Sequence, residues 1–270
     1  MSFLSNPVPN ADSQTGDVVP PQASLSLDEN PSWSGWDVLG IVILTIVAIF
    51  SFLLVVTYAT QRLFYPNLPM VDVARFPLLT VVAQLLAYIV VLAYMVSLVK
   101  RDSAKPFLTM IRWNWPAGWV GYLFGGVVLS LALQGVAHLL PMPKELPIDR
   151  FFRTAAEAWA LSIFGVTFAP LMEEFFFRGF LYPVLRRRLG LPLGVILTAA
   201  CFGLIHAPQL GRAWGPVLVV FLVGVALTLT RAMTKSVAAS LLMHIAYNGT
   251  ISVLIFFASD GFRNLEKLNQ

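Results

Sequence analysis

Pro170-Leu171-Met172-Glu173-Glu174-Phe175-Phe176-Phe177-Arg178 sets two adjacent carboxylates deep in an apolar run that starts near Trp159. Such a run reads as a membrane-crossing helix, and a charged side chain at its centre costs about 2.5–3.5 kcal/mol on insertion scales. Two acids in a row at that depth point to a use for them. The rest of the chain has the same apolar character. Of its 270 residues, 57% are hydrophobic and only 12% are charged; a soluble domain carries about 25% charged residues. With a mean hydropathy of +0.76, the chain reads as an all-α, polytopic membrane helix bundle.

Working outward, apolar runs predict seven spans, over residues 38–58, 77–99, 119–140, 159–182, 191–207, 214–230 and 237–257. An eighth short or re-entrant element near 257–265 would bring the count to eight. Gly121, Gly125 and Gly126 give the third span a small-residue face for close helix packing. Pro208 stops the fifth, because proline cannot continue a helix interior. Trp33, Trp36, Trp115, Trp119, Trp159 and Trp214 cluster at predicted span ends, as an interfacial aromatic belt does.

Residues 1–36 hold Pro7, Pro9, Pro20, Pro21 and Pro31 and no Lys or Arg, and read as a disordered polar tail. They lack the basic start and apolar run of a signal peptide, so the first span is expected to act as an uncleaved targeting signal. Residues 37–258 form one membrane domain, with 259–270 as a short C-terminal tail. The net charge of +4 sits in the short segments between spans, where it acts as a topology signal rather than a nucleic-acid surface. Together with Arg178 near the end of span 4, the segments after spans 2, 4 and 6 hold ten of the 18 Lys and Arg residues, including the run Arg186–Arg188. The positive-inside rule then places the N-terminus and that run in the cytoplasm, and the expected location is the plasma (inner) membrane. The lone cysteine, Cys201, allows neither an intrachain disulfide nor a cysteine zinc cluster.

All three histidines fall within the predicted spans: His138, His206 and His244. Glu174 and Arg178 are one helical turn apart and can pair, so a structural ion pair is the reading for them. Glu173 is rotated by about 100° from Glu174 on an α-helix and has no basic residue three or four positions on. Pro170, one turn earlier, is placed to kink the helix. Phe202 and His206 share one face of the fifth span, and His244 and Asn248 share one face of the seventh. His138 has no matched partner and reads as structural.

A carboxylate and an imidazole together can take a proton from water and hand it to a leaving group. A second histidine and an asparagine can donate hydrogen bonds to a developing oxyanion. That set describes amide hydrolysis by an activated water, without a covalent intermediate. The zinc helix motif HExxH is absent, although Glu173, His206 and His244 would form a chemically reasonable zinc ligand set.

Glu173-Glu174-x-x-x-Arg178, Phe202-x-x-x-His206 and His244-x-x-x-Asn248, in order on three spans, resemble the motifs of the CPBP family. That family comprises CAAX-type prenyl endopeptidases and bacteriocin-processing or immunity membrane proteins. The resemblance covers a motif-bearing core at about 155–257. It implies a metal-free intramembrane glutamic endopeptidase in which Glu173 and His206 activate water. His244 and Asn248 then form the oxyanion site, with Glu174, Arg178 and Phe202 in support. It implies membrane lipid and a peptide or lipidated protein substrate as partners, no cofactor, and no nucleic acid. A site in the cytoplasmic half of span 4 would open toward the cytoplasm. Three alternatives stand beside this reading: a zinc-dependent membrane protease, a proton-coupled transporter with a Glu173–His206–His244 relay, and a non-catalytic immunity scaffold.

Overall fold

The computed structural model describes residues 31–143, 146–152 and 154–265. The fold is a helical bundle built from α1 (Gly35–Phe64), α2 (Met70–Val73), α3 (Pro77–Asp102), α4 (Phe107–Met110) and α5 (Trp119–Ala137), followed by α6 (Ala155–Val166), α7 (Phe168–Glu174), a π-helical segment (Phe175–Leu181), α8 (Tyr182–His206), α9 (Trp214–Thr234) and α10 (Val237–Ala258). The helix starts are written in the sequence. Ser34 and Asp37 form a capping box at α1, Thr154 and Glu157 form one at α6, and Ser236 caps α10 by accepting from the Ala239 amide at 3.1 Å. Each satisfies first-turn N–H groups that have no partner within the helix.

Among the described residues, six helical stretches are long and apolar enough to cross a membrane. Seven were expected; the difference lies in the fourth stretch, Ala155–His206, which runs for 52 residues. Straight, it would extend about 78 Å, against a hydrocarbon core of about 30 Å. It is not straight. Gly190 has φ 80° and ψ 179°, a conformation open only to glycine, and the chain folds back there. A Cβ at Gly194 would lie 3.0 Å from the Arg186 Cα, a contact that only a hairpin allows. Pro192 sits in the first turn of the returning arm, where its missing N–H is no loss. The two arms, 155–189 and 191–206, correspond to the fourth and fifth expected spans. No eighth span follows among the described residues. Residues 259–265 turn back on α10 instead: the Gly261 amide bonds the Phe256 carbonyl at 2.8 Å, and Phe262 is buried against Trp159 and Phe256.

The segment assigned above to a disordered tail needs correction at its end. Residues 1–30 lie outside the described residues, but Pro31 and Trp33 are buried. Trp33 is 1% exposed; its indole N–H donates to the Phe180 carbonyl at 3.0 Å, and the two rings stack with centroids 4.5 Å apart. Arg187 holds the Pro31 carbonyl at 3.0 Å. An aromatic ring beside a long apolar surface docks on it, however polar its neighbours are in sequence.

The π-segment lies between two apolar clusters. Phe175 and Phe180 pack with Trp33, Val91, Met95 and Ile111; Phe177 packs with Phe202, Leu227 and Tyr247. The residues that carry the acids therefore run through the middle of the bundle. Opposite, α5 lies against α10 so closely that a methyl group at Gly126 would stand 2.7 Å from the Ala246 Cβ. This is the close small-residue packing expected of that span, at Gly125 and Gly126 but not at Gly121, where a methyl group would meet nothing within 4 Å.

Candidate active site

Three helical arms bring the polar residues together. The first arm breaks at Thr167 (φ −117°, ψ −71°), three residues before Pro170, whose missing N–H leaves a gap in the helical ladder. Below that break, α7 turns Glu173 and Glu174 to different faces. Glu174 is fully buried and Glu173 partly so, which is the split the 100° rotation predicts.

Glu174 anchors the arrangement. Its Oε1 accepts from Arg178 Nη1 at 2.8 Å and from His244 Nδ1 at 2.8 Å. Arg178, also fully buried, donates from Nη2 to the Gly224 carbonyl at 3.1 Å. Its guanidinium carbon lies 4.7 Å from the centroid of the Phe202 ring. A buried ion pair needs further hydrogen bonds to offset its desolvation; Gly224 and His244 supply one to each partner, while Glu174 Oε2 and Arg178 Nε have no hydrogen-bond partner among the described residues. Ser240, one turn before His244 on α10, places its hydroxyl beside the same carboxylate.

Glu173 faces the two histidines. Its Oε1 is 3.8 Å from His206 Nε2, and its Oε2 is 3.7 Å from His244 Nε2. The far nitrogens of both rings are committed. His206 Nδ1 bonds the Phe202 carbonyl at 2.7 Å, and a carbonyl can only accept, so Nδ1 carries the proton. By the same argument His244 Nδ1 carries a proton toward Glu174. A neutral His206 thus presents a bare Nε2 to Glu173, while His244 can donate from Nε2 only when its ring is doubly protonated. Phe202 orients the pair twice, through its carbonyl and through its ring, which lies 4.8 Å from the His206 ring and 5.7 Å from that of His244.

Asn248 lies one turn after His244 and donates from Nδ2 to the Gly165 carbonyl of α6 at 2.7 Å, which keeps one amide hydrogen for another acceptor. His138 stands apart, exposed at the C-terminal end of α5. Sequence reasoning missed Ser240 and the carbonyls of Gly165 and Gly224. Ser240 could have been found from its one-turn spacing to His244, but a backbone carbonyl on another helix leaves no mark in the sequence. Among the described residues, no three His, Cys, Asp or Glu side chains are grouped to hold a metal ion.

Comparison with known proteins gives a match over the same region. Residues 154–250 match the family model described as type II CAAX prenyl endopeptidase Rce1-like. Over 137 residues, 51% of this chain and 71% of the relative, the sequence is 29% identical to the UPF0177 protein YbdI of Lactococcus lactis subsp. lactis (strain IL1403). No solved structure matches the chain. The family match opens at the Thr154 cap of α6 and closes two residues past Asn248, and so takes in every residue of the buried Glu–Arg–His arrangement. Over residues 154–250, about a third of the chain, this helical membrane protein is thus similar to the Rce1-like family of type II CAAX prenyl endopeptidases.

Proposed function

We propose that the protein is an intramembrane endopeptidase that hydrolyses a peptide bond with a water activated by Glu173 and His206. Its substrates are lipidated or membrane-associated proteins, cleaved near the C-terminus in the CAAX manner. The observation that carries this reading is the pair of gaps at Glu173, 3.8 Å to His206 Nε2 and 3.7 Å to His244 Nε2. Both are too long for a direct hydrogen bond, and both leave room for a water to bridge them.

In the reaction, the water donates one hydrogen bond to the bare His206 Nε2 and gives its other proton to Glu173 as its oxygen attacks the scissile carbonyl carbon. The carbonyl π electrons move onto oxygen. A doubly protonated His244, through Nε2–H, and the remaining amide hydrogen of Asn248 donate to that oxyanion. The proton on Glu173 then passes to the leaving nitrogen, the C–N bond breaks, and a carboxyl and an amine result. Glu174 holds His244 in place, and Arg178 balances the charge of Glu174. No step is routed through zinc, and no other cofactor is invoked.

The chamber opens toward the cytoplasm in this reading. The start of α1, the end of α3, Arg186–Arg188 and the start of α10 share one face: Arg101 pairs with Asp37 at 3.1 Å, Arg187 reaches Pro31, and the Val237 amide bonds the Arg112 carbonyl. That face is rich in basic residues, as a cytoplasmic surface is. His244 follows Val237 by seven residues, about 10 Å of helix, while Ala258 is about 21 Å away in the other direction.

Cleavage of a quenched farnesylated CAAX peptide by the purified protein in detergent tests the proposal. Wild type is expected to cleave, and Glu173→Gln to lose about 10²-fold or more, with activity unchanged by a chelator. Equal rates for wild type and Glu173→Gln would remove Glu173 from the chemistry. Loss under the chelator would put zinc in the reaction, and an uncleaved peptide would overturn the CAAX substrate class.

A further inference from the structure

Tyr88 lies on α3, outside the residues that match the protease family. Its ring stacks on Phe164, with centroids 5.9 Å apart and planes 13° apart. Phe164 directly precedes Gly165, whose carbonyl holds Asn248. The α3 helix also packs against α6 and against α7, which carries Glu173. Tyr88 abuts the apolar cluster that contains Met172 and Phe175, on either side of the two acids. Its phenol lies within Coulombic reach of the Glu173 carboxylate.

The hydroxyl itself has no hydrogen-bond partner among the described residues. The residue is half-buried, so its hydroxyl stays open to a partner from outside the chain, whereas the fully buried Tyr182 accepts from Arg186 at 2.9 Å. Tyr88 therefore offers an uncommitted donor on a ring fixed by stacking against the α6 turn whose Gly165 carbonyl holds Asn248. Being neutral, a phenol can stand there without tying up Glu173 in an ion pair, as a lysine or arginine would.

We propose that Tyr88 is a substrate-contacting residue whose hydroxyl donates to a backbone carbonyl of the peptide next to the water held by Glu173. The inference rests on the peptidase reading above. It makes α3 one wall of the chamber, so the site extends beyond the motif-bearing arms.

Two measurements on the full chain test it. In the first, Tyr88→Cys and Ile89→Cys are made in a Cys201→Ser background and treated with a water-soluble methanethiosulfonate reagent. Ile89 is 66% exposed on the lipid-facing side, where a thiol does not ionise. Cysteine at 88 is expected to react at least tenfold faster than at 89; equal slowness overturns the proposal. This arm needs no substrate, so it decides the matter even if the farnesylated CAAX peptide proves not to be cleaved. In the second, Tyr88→Phe keeps the stacked ring and removes only the hydroxyl. Its kcat/KM on that peptide is expected to fall about tenfold per folded molecule, the scale of losing one neutral hydrogen bond to the substrate. An unchanged kcat/KM, or a fall that only follows the folded fraction, overturns it.

Discussion

Replacing Gly126 by alanine should disable the site from a helix that carries none of its chemistry. The added methyl would stand 2.7 Å from the Ala246 Cβ and 3.1 Å from the Met243 carbonyl carbon, with the Met243 oxygen closer still. Two carbons in contact need about 3.7 Å, so α10 must retreat by about 1 Å. The obstacle is backbone, so no rotamer change relieves it. His244 follows Met243 directly, and its Nδ1 is 2.8 Å from Glu174. A 1 Å retreat takes that contact past the limit of a hydrogen bond and moves the proposed oxyanion donor by the same amount. Misplacement on that scale costs about 10²-fold in rate, and overpacking destabilises by about 1–3 kcal/mol. The assay is peptide cleavage per folded molecule, with the folded fraction from size exclusion and a thermal melt. Gly121→Ala on the same helix is the control, because a methyl there meets nothing within 4 Å. If Gly126→Ala cleaves as fast as Gly121→Ala, the α5–α10 contact does not position His244 and the reasoning fails.

Glu174→Gln leaves Arg178 buried without its carboxylate. A melt in detergent should show a loss of about 3–5 kcal/mol, with the double variant Glu174→Gln/Arg178→Met losing less; a double variant as unstable as the single would mean the pair is not the cause. Gly190→Ala places a side chain at φ 80°, where strain costs about 1–3 kcal/mol. Its melt should fall accordingly, and an unshifted midpoint would show that the hairpin adapts at that residue.

The sequence by itself determined the class of the fold and the helical spacing of the candidate site's polar residues. Long apolar runs leave a chain no option but membrane-crossing helices, because every backbone polar group must be satisfied within its own segment. The one-turn spacings of Glu174–Arg178, Phe202–His206 and His244–Asn248 are local geometry, fixed by 3.6 residues per turn wherever the helix lies. Pro208 marked where the second arm ends, two residues after His206.

What tertiary structure alone decided is which atoms meet. No spacing within one helix says that Glu174 accepts from His244, 70 residues on, or that Arg178 reaches the Gly224 carbonyl. The packing of α10 on α7 sets the first of these, and the packing of α9 along α8, which continues the π-helical segment, brings Gly224 to the second. The docking of Trp33 on Phe180, 147 residues away, was likewise hidden, because the polar residues around it match a disordered tail in composition. The π-helical register of Phe175–Leu181 leaves no mark in an apolar pattern either, since it is imposed by the two clusters on its flanks. Such contacts depend on distance in space between segments far apart in the chain, and a linear pattern encodes only the faces that make them possible.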